Sequence, residues 1–302
     1  MTTAADHRSG YLAIVGRPNV GKSTLLNQLV GQKVSITSRR PQTTRQRIVG
    51  IVTRPGAQYI FVDTPGFQRK HGNEMTRLMN RSVSRSVVDV DVVVWVVESS
   101  RLDAEDRALL PMLQGANLQG DIPLVIAVNK IDALGNKNEL LPYIRELDEL
   151  AHPVAIVPVS AQNGVGTEEL LAAMRPLLPL REPLYGEDEI TTASERTLAA
   201  ELLREKLFHL LGAELPYSTM VEIERFETEG GLRRIHAAIL VDKAGQKGIV
   251  IGAKGEKLKQ IATLARKDME RLFGGKVFLE VWVKVKSGWA DDRTILDRMG
   301  FD

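Results

Sequence analysis

The segment Gly16–Ser23 constrains the fold of this chain more than any other feature of its sequence. Its residues match the pattern G-x-x-x-x-G-K-[S/T]. An apolar run, Tyr11–Val15, precedes it, and a helical pattern from Lys22 to Val30 follows it. A loop between a strand and a helix presents backbone N–H groups and a helix N-terminus to a phosphate group. The pattern therefore predicts an α/β domain with a phosphate-binding loop.

Apolar runs alternate with helical patterns over the first part of the chain. The predicted strands are mostly uninterrupted apolar runs, typical of strands covered by helices on both faces: Tyr11–Val15, Ile48–Thr53, Gln58–Val62, Val92–Val97, Pro123–Val128 and Ala155–Val159. The predicted helices lie between them: Lys22–Val30, Asn73–Val88, Ala104–Gln114, Lys137–Leu150 and Thr167–Met174. This alternation predicts a doubly wound, mostly parallel sheet. Because Pro55 and Gly56 separate the second and third strands, we expect an antiparallel hairpin at one edge.

A segment rich in proline and acidic residues separates this part from the rest of the chain. We place a first domain at residues 1–180, a linker at 181–193 and a second domain at 194–302. The second domain has a different order of predicted elements: helix Ser194–Leu211, strands Thr219–Phe226 and Leu232–Val241, helix Lys254–Phe273 and strand Lys276–Lys286. The last strand alternates apolar and polar residues strictly, which predicts a smaller α+β domain with a one-sided sheet.

Composition excludes several classes of protein. The 302 residues are 43% hydrophobic and 26% charged, as expected for globular domains with cores. The chain has no cysteine, which excludes disulfide partners and thiolate metal sites and fits a reducing compartment. The start lacks the apolar stretch of a secretory signal, and runs such as Val92–Val97 are too short to span a bilayer. We expect a cytoplasmic protein with only peripheral membrane contact.

Basic residues cluster in two regions although the net charge is only +2. Lys33–Arg54 contains six basic residues and no acidic ones, and Arg233–Lys286 contains 13 Lys and Arg against 5 Asp and Glu. Such local excess indicates a phosphate-rich partner, either nucleic acid or an anionic membrane. Two solvated faces explain the charge alone equally well.

The phosphate loop predicts the roles of its own residues and of one later motif. Lys22 should reach the β- and γ-phosphates, and Ser23 should be a ligand of Mg²⁺. Asp63 directly follows the predicted strand Gln58–Val62 and is a second candidate for holding Mg²⁺, through water. The candidate phosphate-binding residues are Gly16, Asn19, Val20, Gly21, Lys22, Ser23, Thr24 and Gly66.

Two further motifs, Asn129–Asp132 and Ser160–Gln162, follow predicted strands. They lie at the sheet edge where open α/β sheets bind ligands. With the phosphate loop and Asp63–Gly66, they resemble the translation-factor-like GTPases. That resemblance implies that Asp132 accepts hydrogen bonds from guanine N1–H and the 2-amino group, which adenine could not provide. Asn129 and Lys130 would frame the base, and the Ala161 N–H would meet guanine O6. The candidate guanine-binding residues are therefore Asn129, Lys130, Asp132, Ser160 and Ala161.

The region before Ile48 is the candidate for the first switch. Thr43 or Thr44 should bind Mg²⁺ and the γ-phosphate, and the resemblance favours Thr44. Phe67 stands where Ras-like enzymes carry a water-orienting glutamine, which predicts slow hydrolysis that a partner stimulates. Asn19 resembles an asparagine that helps bind K⁺ in related GTPases, although a turn residue explains it equally well.

A second glycine loop predicts RNA binding. Gly252–Gly255 precedes an amphipathic helix and resembles the Gly-x-x-Gly loop of KH domains, which clamps about four single-stranded nucleotides. The predicted order helix–strand–strand–helix–strand matches the prokaryotic form of that fold. Trp282 could stack on a base or pack equally well. The candidate RNA-binding residues are Gly252, Ala253, Lys254, Gly255 and Lys257, with Lys259 adding charge.

A P-loop GTPase domain followed by a KH domain resembles the Era family of bacterial GTPases. The resemblance runs from Tyr11 to Asp292 and includes the switch segment Ser35–Arg45. It implies a GTPase that forms GDP and phosphate, with Mg²⁺ as its cofactor and K⁺ as a further candidate. It also implies binding of the 3′ end of 16S rRNA during small-subunit assembly. It also implies a peripheral location at the inner membrane face, and we expect a monomer.

Two alternatives remain open. One is a GTPase that serves another RNA process such as tRNA modification. The absence of cysteine and the KH-like loop speak against it. The other is a binding protein whose nucleotide domain is only structural, and the intact Lys22, Ser23, Asp63 and Asp132 speak against that.

Overall fold

The computed structural model describes residues 6–38, 48–65, 78, 81, 89–118, 122–212 and 215–293. The chain forms two compact units, one mainly from residues before Ala193 and one mainly from Ala193 onwards. Ile36, Thr37 and Ser38 belong to the second unit. Within the described residues, no helix combines the length and the apolar character needed to cross a membrane.

A six-stranded sheet forms the centre of the first unit. Its strands are β1 Arg8–Val15, β2 Ile48–Arg54, β3 Ala57–Asp63, β4 Val92–Glu98, β5 Leu124–Asn129 and β6 Ala155–Pro158. Their order across the sheet is β2-β3-β1-β4-β5-β6. Only β2 is antiparallel to its neighbour, so the predicted edge hairpin is confirmed.

Helices cover both faces of this sheet. They are α1 Lys22–Val30, α2 Ala104–Leu118, α3 Leu140–Ala151 and α4 Thr167–Met174. Side chains of β1 alternate between two cores: Leu12 and Ile14 pack with residues of α1 and α4, and Ala13 and Val15 pack with residues of α2 and α3. The predicted doubly wound architecture is therefore confirmed.

Several boundaries differ from the prediction. β1 begins at Arg8, in a polar stretch, because Arg8 pairs with Ala57 and its guanidinium donates to the Leu178 carbonyl oxygen. α3 begins at Leu140 because a 3₁₀ turn occupies Lys137–Glu139. The predicted helix Asn73–Val88 lies outside the described residues, apart from residues 78 and 81, which are helical.

The chain after α4 stays against the first unit. The buried side chain of Gln58 accepts the N–H groups of Leu184 and Tyr185 and donates to the Tyr185 carbonyl oxygen. Further along, Thr191 donates to the Val49 carbonyl oxygen at 2.5 Å. Much of the segment that we predict as a linker therefore runs along the sheet.

A three-stranded sheet with helices on one face forms most of the second unit. Its elements are α5 Glu195–Leu210, β7 Thr219–Glu229, β8 Leu232–Val241, α6 Ala244–Ile251, α7 Glu256–Phe273 and β9 Val277–Val285. In the order β7-β8-β9, the first pair is antiparallel and the second is parallel. Along β9, Val277, Leu279, Val281 and Val283 belong to the core with α5 and α7, so the predicted alternation is confirmed there.

The second unit contains one helix more than the sequence predicts. The glycines and lysines after β8 predict a turn, but α6 occupies Ala244–Ile251. Gly245 and Gly248 lie within these eight residues, and glycine is unfavourable in a helix interior by about 1 kcal/mol. Local propensity therefore gave no helical signal. The observed order is helix–strand–strand–helix–helix–strand.

Candidate functional site

The phosphate loop connects the end of β1 to the start of α1, as its motif predicts. Gly21 precedes α1 in a left-handed conformation, with φ 101°. A Cβ atom there would lie 2.2 Å from Asn129 Nδ2, so only glycine fits. Val20 is buried in the core, Thr24 is half-buried in the first turn of α1, and Asn19 is exposed with φ 65°.

Lys22 is held by its own loop. Its Nζ donates to the carbonyl oxygens of Gly16 and Arg17, each at 2.9 Å. Burial lowers the pKa of the Lys22 ammonium group to about 8, and the nearby carboxylate of Asp63 limits the decrease. Lys22 is therefore a buried cation at the position where the motif predicts phosphate, and its protonation depends on nearby charges.

Hydroxyl groups surround the carboxylate of Asp63. Asp63 is fully buried, and its Oδ2 accepts hydrogen bonds from Ser23 Oγ at 2.7 Å and Ser35 Oγ at 2.9 Å. Hydroxyl and carboxylate oxygens are the ligands that Mg²⁺ prefers, so this donor set fits that ion. No group of three or more His, Cys, Asp and Glu that could hold a metal occurs among the residues described.

Ser35 begins the switch segment that the resemblance predicts, but its contact with Asp63 is not predicted. The side chain of Asn27 accepts the N–H groups of Val34 and Ser35 and donates to the Ser35 carbonyl oxygen. α1 thus holds Ser35 beside Asp63. A serine in a basic loop carries no pattern that could have revealed this contact. The predicted switch residues Thr43 and Thr44 lie outside the described residues, as do the candidate phosphate-binding residue Gly66 and Phe67.

The candidate guanine-binding residues come together at the ends of β5 and β6. Asn129 is buried and links three loops: its Nδ2 donates to the Val20 carbonyl oxygen at 2.7 Å, and its Oδ1 accepts the Ala161 N–H at 2.9 Å. That N–H is therefore directed to Asn129 in this structure. Ser160 Oγ donates to Asp132 Oδ1 at 2.5 Å and so orients an exposed carboxylate.

Three charged residues to which the prediction gives no role form ion pairs at this site, and one of them, Arg17, lies in the phosphate loop itself. Arg17 contacts Glu98 at the end of β4 and Asp106 in α2, and Glu98 also contacts Lys130. The rule that ligands bind at the carboxyl ends of parallel strands applies to β4 as well. That rule was a signal by which Glu98 could have been found.

The candidate RNA loop lies between α6 and α7. Gly252 has φ 74° and ψ 177°, a conformation essentially restricted to glycine, and a Cβ atom there would lie 2.6 Å from Lys257 Cβ. A 3₁₀ turn over Ala253–Gly255 leads into α7. Ala253, Lys254 and Lys259 are exposed, whereas Lys257 is half-buried. The structure thus brings the predicted glycines and lysines together at a helix N-terminus.

Trp282 lies elsewhere on the second unit. It alternates with the core residues of β9 and is half-buried on the other face of the sheet, 6.0 Å from the ring of His236. Lys284 Nζ lies 5.6 Å from the centre of its ring, a cation–π distance. Trp282 is therefore part of a surface cluster on the sheet.

Two family models match the chain, one in each part. Residues 11–130 match a family described as 50S ribosome-binding GTPase, and residues 214–290 match the KH domain. The chain is 53% identical to the GTPase Era of Nitrosomonas eutropha over 300 residues, covering 99% of this chain and 100% of the relative. It is also 53% identical to the GTPase Era of Chromobacterium violaceum, with full coverage of both chains.

Two solved structures are similar over nearly the whole chain. A variant of Aquifex aeolicus Era bound to GDP·AlF₄⁻ superposes with a TM-score of 0.92 at 36% identity, covering 97% of this chain and 99% of the other. A structure of Era in complex with MgGDPNP and nucleotides 1506–1542 of 16S ribosomal RNA gives the same TM-score and identity, covering 98% and 99%.

Proposed function

The chain belongs to the Era family of GTPases, and from this premise we propose that it couples GTP hydrolysis to binding of the 3′ end of 16S rRNA in assembly of the small ribosomal subunit. The observation that carries the proposal is the Gly252–Gly255 loop. It has glycine-only geometry at Gly252 and an exposed lysine, Lys254, in a chain whose phosphate loop is intact. The similar Era structure that contains this RNA supports the choice of target.

The phosphate loop binds the β- and γ-phosphates of GTP in this proposal. Lys22 would exchange its hydrogen bonds with loop carbonyl oxygens for phosphate oxygens, and the loop from Gly16 to Thr24 would supply N–H donors, joined by Gly66. Ser23 and Asp63 would hold Mg²⁺, with Thr44 or Thr43 from the first switch. Bound there, Mg²⁺ would neutralise charge on the phosphate oxygens.

Guanine lies against Asn129, Lys130, Asp132, Ser160 and Ala161 in this proposal. The carboxylate of Asp132 is exposed and would accept the two guanine donors, while Ser160 holds one of its oxygens in place. Asn129 orients the loops through its bonds to Val20 and Ala161 more than it frames the base directly.

Hydrolysis is slow in this proposal, because Phe67 cannot orient a water molecule. A partner therefore stimulates it, and K⁺ bound near Asn19 is one candidate source of positive charge. The left-handed backbone of Asn19 also supports its alternative role as a turn residue.

RNA binds the second unit at Gly252, Ala253, Lys254, Gly255 and Lys257 in this proposal. Close approach of a phosphodiester to the glycines, the N-terminus of α7 and the lysine charges would provide affinity. We keep the domain limits 1–180, 181–193 and 194–302 as part of the proposal. A monomeric state and a peripheral contact with an anionic membrane remain predictions.

The experiment that tests the proposed function measures GTP turnover in KCl and in NaCl, with and without an oligonucleotide of the 16S 3′ end. An oligonucleotide of scrambled sequence is the control. Stimulation by the specific RNA is expected. Equal rates with both RNAs would favour the alternative task, such as tRNA modification. A complete lack of turnover would favour the binding protein with a structural nucleotide domain.

A further inference from the structure

The end of β4 supports the loop after β5, which carries Lys130 and Asp132 (the guanine loop). Glu98 lies beside Asn129 in the parallel pairing of β4 and β5. The next residue, Ser99, donates its N–H to the Asn129 carbonyl oxygen at 2.8 Å. Its buried Oγ donates to the Lys130 carbonyl oxygen at 3.0 Å. Strand pairing is thus extended onto the loop itself.

The loop needs this support because its backbone is strained. Lys130 has φ 67° and ψ 32°, a left-handed conformation that costs a non-glycine residue about 1 kcal/mol or more. Such a conformation persists only when its surroundings hold it. Asp132 follows two residues later, so the backbone at Lys130 determines where the Asp132 carboxylate lies.

Glu98 contacts both loops of the nucleotide site with different oxygen atoms. Its Oε1 accepts from Lys130 Nζ at 3.0 Å, and its Oε2 accepts from Arg17 Nη2 at 2.6 Å. Burial alone would raise the pKa of Glu98, but the hydrogen bonds from Lys130 and Arg17 outweigh it and lower the pKa. Glu98 is therefore ionised at neutral pH.

Arg17 also forms ion pairs with two aspartates, in addition to its contact with Glu98. Its Nε lies 2.9 Å from Asp103 Oδ2 and 3.0 Å from Asp106 Oδ2, and the Asp106 side chain is fully buried. A continuous series of ion pairs thus connects four elements: the phosphate loop, the start of α2, the end of β4 and the guanine loop. Glu98 is the member that joins the two nucleotide-binding loops.

We propose that Glu98 is a positioning residue for guanine selection, which sets the guanine loop relative to the phosphate loop through Lys130 and Arg17. It touches no nucleotide group itself. Its removal releases Lys130 Nζ and leaves the strained backbone with one support fewer, so the Asp132 carboxylate shifts away from the guanine 2-amino group. The inference rests on the proposed guanine site.

The test compares the binding of GDP and inosine diphosphate, which lacks the 2-amino group, to the full-length protein. The variant Glu98→Gln keeps the size of the side chain and removes its charge. Glu146→Gln is the matched control, because Glu146 forms an ion pair with Arg107 on the surface of the same unit. Displacement of a fluorescent GDP analogue gives both dissociation constants.

For Glu98→Gln we expect the dissociation constant for GDP to rise about tenfold, the usual order for loss of a hydrogen bond to a charged group. The preference for GDP, measured as the ratio of the two dissociation constants, should fall at least threefold. The variant Ser99→Ala should also lower this ratio. Glu146→Gln should change neither value.

Three results would overturn the proposal. One is a GDP dissociation constant within twofold of the wild type. Another is an equal loss of affinity for GDP and for inosine diphosphate, with or without a lower unfolding temperature. Such a loss would mean that the substitution damages phosphate binding or the fold. Lack of a GDP preference in the wild type would overturn the guanine site together with this inference, whereas a preference that Glu98→Gln retains overturns only the role of Glu98.

Discussion

The ammonium group of Lys22 donates to the carbonyl oxygen of Gly16 at 2.9 Å, inside the loop that we propose binds phosphate. A phosphate group must compete for this cation. The competition is also electrostatic, because burial lowers the Lys22 pKa to about 8 whereas phosphate charges would raise it.

Nucleotide binding should therefore take up a proton as the pH rises through about 8. Below that value Lys22 is charged before and after binding. Above it the free protein has lost the proton that the complex requires, so affinity for GDP falls with increasing pH. Calorimetric titrations at about pH 7.5 and 8.5, each in two buffers of different ionisation enthalpy, measure the uptake. Lys22→Arg should abolish the pH dependence, and a flat wild-type profile would contradict the shifted pKa.

Replacing Asn129 by alanine should impair both binding and stability. The substitution leaves the Val20 carbonyl oxygen and the Ala161 N–H without their buried partner. We expect the free energy of unfolding to fall by about 2 kcal/mol and GDP affinity to fall at least about tenfold. Denaturant titrations and GDP binding measure the two effects. Asn138→Ala is the control, because Asn138 is exposed. An Asn129→Ala variant as stable as that control would contradict the role of the Asn129 amide in joining the loops.

Two buried tyrosines should respond differently to loss of their hydroxyl groups. Tyr59 donates to the Leu171 carbonyl oxygen at 3.0 Å, so Tyr59→Phe should lower the free energy of unfolding by about 1 kcal/mol. The Tyr143 hydroxyl has no hydrogen-bond partner among the described residues, so Tyr143→Phe should leave stability unchanged or increase it. Urea unfolding of both variants tests this, and the reverse order would contradict the assigned contacts.

Alanine substitutions at two glycines, one in the RNA loop and one in α6, should have opposite effects on stability. Gly252→Ala places a methyl group 2.6 Å from Lys257 Cβ in a conformation that only glycine readily adopts. We expect it to weaken binding of the 16S 3′-end oligonucleotide at least about tenfold and to lower stability by about 1–3 kcal/mol. Gly248→Ala, in α6 with open space around the added atom, should raise stability by about 0.5–1 kcal/mol and spare RNA binding.

Fluorescence anisotropy of labelled RNA and binding of GDP measure these two variants in parallel. Both should bind GDP normally, because Gly252 and Gly248 lie in the other unit. Wild-type RNA affinity in Gly252→Ala would contradict the assignment of the loop, and loss of GDP affinity would contradict independent sites.

Sequence reasoning found the features that repeat a local pattern. The sheet, its edge hairpin, the phosphate loop and the alternation along β9 follow from apolar periodicity and turn residues. It missed α6 because its glycines disfavour a helix, so contacts within the second unit determine that element. The contacts of Ser35 with Asp63 and of Glu98 with Lys130 were missed for another reason: the two residues of each pair are at least 28 positions apart in the sequence. No local pattern records such a pairing.

The double hydrogen bonding of the Asn129 amide has a consequence for attempts to change the nucleotide preference of this protein. Val20, Asn129 and Ala161 lie in loops far apart in the sequence, yet one side chain joins them. Substitutions in any two of these loops should therefore be non-additive. A library that varies one loop at a time would miss compensating combinations, so directed evolution of ligand choice has to randomise the three loops together.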